Sequence, residues 1–139
     1  MSVPLGQRTE SKLEVQTRAR ELALYTVQIC GNEKHFPKRD RWIVTNRIVG
    51  TALTIMEEVD IANDIYVSTR GDFELRRQAQ TIAFSNTAKL LGLLELAQAK
   101  YDIGDRRVQF WADKVLEVRA LIKKWRQSDK NRYDKKNII

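Results

Sequence analysis

Cysteine and histidine each occur once in the 139 residues and proline twice, and each scarcity removes a class of protein. A lone Cys30 closes no internal disulfide, so the chain is expected to fold without cross-links in the reducing cytoplasm. With His35 the sole imidazole, a hydrolytic triad has one candidate base, and that base sits beside Glu33 in a loop where histidines are usually solvated. Cys30 and His35 lack Cys-x-x-Cys or His-x-x-x-His companions, and no glycine-rich phosphate loop appears. Long apolar runs are missing too. The most apolar, Leu90 to Ala97, is broken by Glu95 and falls far short of the roughly 20 residues that cross a bilayer. No charged-then-apolar leader opens the chain. The composition excludes little else, but it points away from an enzyme, a metalloprotein and a membrane protein, with no catalytic residue, metal or cofactor expected.

What the chain does have is helical periodicity. Apolar residues make up 42% and charged ones 31%, with six glycines, a profile that folds and favours helices. After residues 1–10, which contain Pro4 and Gly6 and carry no sustained period, Thr9 or Ser11 offers an N-cap. Val15, Ala19, Leu22, Thr26 and Ile29 then alternate by four and three, one face of a helix. Gly31, Asn32 and Pro37 end it. A second helix is read through Thr45, Val49, Ala52, Met56 and Val59, widened by Ile43, Ile48, Leu53 and Ile55, and weakens from Asn63 to Thr69. Gly71 and Asp72 supply a break and a cap. The third helix, Asp72 to Lys100, has its seam at Phe73, Arg76, Gln80, Ala83, Thr87, Leu90, Leu94 and Ala97. Gly104 turns the chain into a fourth, striped by Val108, Trp111, Val115, Val118, Ile122 and Trp125, with the period stopping beyond Gln127. Four amphipathic helices with short links imply an all-α fold, an antiparallel up-and-down four-helix bundle. It is read as one domain over 1–139, with flexible tails at 1–10 and, basic in character, at 128–139.

Charge is uneven along the chain. Residues 1–70 carry ten Lys and Arg against nine Asp and Glu, whereas residues 71–139 carry fifteen against nine. The excess concentrates between Lys114 and Lys136, where nine bases face three acids, interleaved with Trp125 and Tyr133. Such a stretch attracts phosphate backbones by releasing condensed counterions, although basic residues also solvate an outer face and suit a helix C-terminus. Lys114, Arg119, Lys123, Lys124 and Arg126 are the leading nucleic-acid-binding candidates, with Arg76 and Arg77 as a second surface. Trp125 continues the apolar stripe and reads as core before it reads as a base-stacking platform. An acidic cluster, Glu57, Glu58, Asp60 and Asp64, repels itself near a helix C-terminus and calls for a basic partner surface, between subunits, rather than a metal. Broad apolar faces on helices two and four suggest a homo-oligomer.

The run Phe36-Pro37-Lys38, Arg41-Trp42, Arg47-Ile48, followed by Arg77-Gln78-Ala79, Leu90-Leu91 and Leu94-Glu95-Leu96-Ala97, resembles a known group of small four-helix bundles. These are the intervening-sequence proteins of large-subunit ribosomal RNA and, most similar, the accessory variability determinant (Avd) of diversity-generating retroelements. The likeness covers most of residues 13–126. It implies a ring-like homopentamer that contacts a reverse transcriptase, binds RNA or DNA through basic surfaces, and supports mutagenic cDNA synthesis and retrohoming without an active site of its own. The alternative it leaves is a ribosomal-RNA-associated or structural bundle. One departure stands out: Thr81 to Ala88 contains no Lys or Arg, less basic than an Avd-like third helix should be.

Overall fold

A computed structural model describes the backbone of residues 10–139 and the side chains from residue 14 onward. Among them are four α-helices and no strand: α1 (Glu10–Cys30), α2 (Asn46–Asp64), α3 (Arg70–Lys100) and α4 (Asp105–Lys135). The expected N-caps Thr9 and Ser11 lie outside the side chains described. No described helix is long and apolar enough to cross a membrane.

Each helix packs on two neighbours, α1 and α3 both lying against α2 and α4. Side-chain bonds between helices show the antiparallel sense. Early α1 meets late α2 where Gln16 donates to Asp60 at 3.4 Å, late α1 meets early α4 where Trp111 Nε1 donates to Thr26 Oγ1 at 3.0 Å, and early α3 meets late α4 at Arg76 and Asp129. The core is the meeting of the four stripes. Every seam residue expected on α1 and α3 is buried, and so are all six on α4. Trp111 and Trp125 are among its largest members, which places Trp125 inside the bundle. Thr26 is admitted to this core because its hydroxyl also donates to Leu22 O at 2.7 Å, leaving no polar atom unspent.

The second helix departs from expectation. Its buried face is Ile48, Thr51, Ala52, Ile55, Val59 and Ala62, so the stripe centres on what was read as a flank, while Met56 and Val49 are only half-buried. Upstream, a 3-10 turn at Lys38–Asp40 runs into a π-type turn at Arg41–Thr45 before α2 settles. Within that wider turn the regular helical register is lost, and Trp42 and Ile43 face solvent. The linker is nonetheless anchored: Phe36 is buried against Tyr101 and Trp111, and Asp40 accepts a 2.7 Å bond from the Tyr101 hydroxyl. Burial first, and that bond second, push the Tyr101 hydroxyl up to about 12.

The start of α3 is also earlier than read. Thr69, not Asp72, is the N-cap: its Oγ1 accepts from Asp72 N, while Asp72 at the third helical position accepts from the backbone of Ser68 and Thr69, closing a capping box. Those bonds, led by Ser68's, hold the Asp72 carboxyl below its ordinary value. Gly104 makes the turn into α4 with a φ of 94°, a left-handed conformation that glycine takes without a Cβ clash.

The largest correction concerns residues 128–139, read as a flexible tail. Helix α4 runs on to Lys135, and Asp129 and Tyr133 extend its buried stripe by one turn each. Asp129 is inside because Arg76 is inside. The guanidinium donates from Nε to Oδ2 at 2.6 Å and from Nη2 to Oδ1 at 3.1 Å, and both side chains are 3% exposed. Gln80 Nε2 adds a 2.8 Å bond to Asp129 Oδ2, Arg76 Nη1 reaches Ile65 O at 3.3 Å, and the guanidinium lies 5.2 Å from the Trp125 ring centre. Tyr133 then closes a small second core with Val67 and Phe73, its ring 5.8 Å from that of Phe73, and is no stacking platform for bases.

Removing one partner of this pair strands a buried charge, so Asp129→Ala is expected to cost about 3–5 kcal/mol. Replacing both, as Arg76→Met with Asp129→Leu, is expected to cost less than half as much, because no charge is left unpaired. Denaturant unfolding of the single and double variants measures the difference; equal losses would contradict it.

Candidate nucleic-acid interface

On α4, Arg119 and Arg126 are seven residues apart, two helical turns, and flank the buried stripe on its α3 side. The antiparallel packing sets them against the base-free stretch of α3 from Thr81 to Ala88. Arg119 lies flat on Phe84, its guanidinium carbon 3.9 Å from the ring centre, and its Nη1 donates to Phe84 O at 3.2 Å and Thr87 Oγ1 at 2.9 Å. Arg126 approaches the same ring at 5.6 Å and donates from Nη2 to Thr81 Oγ1 at 3.2 Å. From α3, Arg77 crosses to donate from Nη1 to Arg126 O at 3.3 Å and rests 5.7 Å from the Phe73 ring centre. Lys123 stands exposed on α4 between Arg119 and Arg126. Three arginines thus share the α3–α4 groove, pinned by rings, hydroxyls and carbonyls, with Lys123 exposed beside them.

Their electrostatics are unbalanced. Among the described residues no carboxylate pairs with Arg77, Arg119 or Arg126, whereas Arg20, Arg70 and Arg76 each have one and Arg18 has two. Burial, and then the nearby charge of Arg77, push the Arg126 guanidinium below its ordinary value. Positive charge held immobile and partly desolvated is costly alone and favourable beside an anion, since a phosphate that meets it need not order the side chains first. Arginine suits this better than lysine, because its planar fork both stacks on an aromatic ring and donates in pairs.

The structure divides the residues expected from sequence. Arg119, Lys123 and Arg126 share one surface as expected, and Arg77, read as part of a second surface, joins them. Arg76 does not; it is the buried partner of Asp129 and is withdrawn as a binding residue. Lys114 lies on the other flank of α4, its Nζ 4.7 Å from the Phe110 ring centre and 5.6 Å from that of Tyr25 on α1. Lys124 is exposed, about 100° around the helix from Lys123 and away from the α3 groove. Phe84, Thr81 and Thr87 were missed. Their signal was the very lack of bases from Thr81 to Ala88: that segment seats the bases of the next helix.

The other sequence candidates are engaged elsewhere. His35 bonds to Arg107 and to Asp102 O, while Glu33 pairs with Lys38 at 3.3 Å. Cys30 is buried, and burial pushes its thiol up to about 12, leaving little thiolate to react at neutral pH. Within the acidic cluster Asp60 meets Arg20 at 3.5 Å and Gln16 of its own α1, so part of the expected basic partner surface is intramolecular.

Compared with known proteins, the chain matches no family model, no curated protein and no solved structure.

Proposed function

We propose that this chain is a non-catalytic nucleic-acid-binding bundle that lays a phosphate backbone along Arg77, Arg119, Lys123 and Arg126. The observation that carries the reading is the set of three guanidiniums held against Phe73, Phe84 and α3 hydroxyls with no carboxylate among them. Contacts of that kind read charge and spacing rather than base edges, so binding to RNA or DNA depends little on sequence. The resemblance to Avd supplies the setting: an accessory factor that brings nucleic acid to a reverse transcriptase during mutagenic cDNA synthesis, assembled as a homopentamer in the cytoplasm. Exposed apolar side chains support self-association. Leu75 and Leu96 are exposed on α3 and, with half-buried Ile82 and Leu93, recur on one helical face, while Trp42 and Ile43 stand out in the turn before α2.

Affinity for unrelated RNA and DNA oligomers, measured across a salt series, is expected to fall steeply with salt. Replacing the four bases by Gln is expected to reduce the log–log salt slope by roughly three, at about 0.7–0.9 per lost phosphate contact. Lys124→Gln, on a different face, is the control. A slope unchanged by the fourfold variant while helicity is kept would remove this face from the reading.

Light scattering at micromolar concentration is expected to give a multiple of the 16.2 kDa chain mass, five being the number the resemblance implies. A monomer mass at moderate salt would contradict assembly.

A further inference from the structure

At the opposite end of α4, its first turns face the end of α1 across a cleft of about 230 Å³ lined by Tyr25, Gln28, Ile29, Asn32, His35 and Arg107. We propose that this cleft binds a phosphate group. It is small beside the roughly 300–1,000 Å³ of sites for drug-sized ligands, so it suits one compact anion rather than a whole cofactor.

Arg107 carries the argument. Its Nη1 donates to His35 Nε2 at 2.8 Å and to Ile103 O at 3.1 Å, while Nε and Nη2 have no partner among the described residues. A guanidinium only donates, so His35 Nε2 must accept; the ring proton is therefore on Nδ1, which donates to Asp102 O at 3.3 Å. His35 is thus a positioning residue that fixes the guanidinium through a backbone carbonyl.

The rest of the lining adds donors and no carboxylate. Tyr25, whose hydroxyl burial holds above its ordinary value, lines the same cleft as Arg107. Asn32 Oδ1 accepts from Lys34 N at 3.0 Å, so the amide nitrogen is its uncommitted end. Of the acids close to the lining in sequence, Glu33 is engaged by Lys38 and Asp105 by a 3.0 Å bond from Gln98 Nε2, whereas the Asp102 carboxylate is exposed. Residues that carry donor groups on α1, in the loop after it and on α4 line one open cleft. That arrangement matches a tetrahedral anion better than a planar carboxylate, which one guanidinium fork would satisfy.

The cleft is separate from the α3–α4 arginine face and does not rest on that reading. The test is titration of the full chain with inorganic phosphate against chloride at matched ionic strength, followed by the side-chain ¹⁵N signals of Arg107 and His35. A saturable shift with Kd near or below about 1 mM is expected, weakened at least about tenfold in Arg107→Gln. Asn32→Ala, in an exposed loop, is expected to weaken it several-fold and serves where Arg107→Gln fails to fold. No saturable shift, or one unchanged in folded Arg107→Gln or in Asn32→Ala, overturns the proposal. Nucleoside 5′-monophosphate and oligonucleotides with and without a 5′-phosphate then identify the source: preference for the phosphorylated strand assigns strand ends, and equal response to the monophosphate and inorganic phosphate assigns a free anion.

Discussion

The contact on which the rest depends is the buried ion pair between Arg76 and Asp129. Two charges taken out of water cost several kcal/mol each, roughly, before their attraction offsets it, so the pair is a poor source of net stability. It is a strong source of specificity. Its 2.6 and 3.1 Å bonds are satisfied in one relative position of α3 and α4, and a slip of either helix by one turn would bury both charges unpaired. With Gln80 and Ile65 O completing the set, the pair keeps the last turns of α4 helical where the apolar stripe alone would let them fray.

The same registration builds the basic face. Once Asp129 is docked on Arg76, Arg126 lies beside Arg77, and Arg119, two turns earlier, lies over Phe84. The guanidiniums are held by groups that do not cancel their charge, a ring face, hydroxyls and carbonyl oxygens, and the buried Nε of Arg126 is left without a hydrogen-bond partner. A carboxylate in any of those places would give a more stable protein and a weaker anion site. The absence of Lys and Arg from Thr81 to Ala88, which departed from what the resemblance implied, is what allows the α4 arginines to lie down on α3.

Much of the fold was legible because the seams of α1, α3 and α4 are strict three-and-four repeats, and burial follows such repeats wherever the helix is regular. Legibility failed where geometry or pairing replaced hydrophobicity. The π-type turn before α2 rotated Ile43 and Trp42 outward, and no residue pattern announces such a turn. Asp129 broke the apolar period of α4, so the helix was read as ending; the sign that it continued was a base in the seam of α3, Arg76, which needed a buried acid and found it 53 residues further along the chain on α4. That base was counted twice, in the seam and on a binding surface, and burial decides for the seam. Of the site, charge and spacing on α4 were readable from one helix alone. The share contributed by α3 was not, because a groove between helices is a property of their packing.

The most direct test of the account is to irradiate the protein bound to a photoreactive single-stranded oligonucleotide and identify the crosslinked peptides. Crosslinks concentrated in residues 77–88 of α3 and 119–126 of α4 are the result the account predicts. Crosslinks confined to other helices, or to the α1 side of α4 around Lys114, would contradict it.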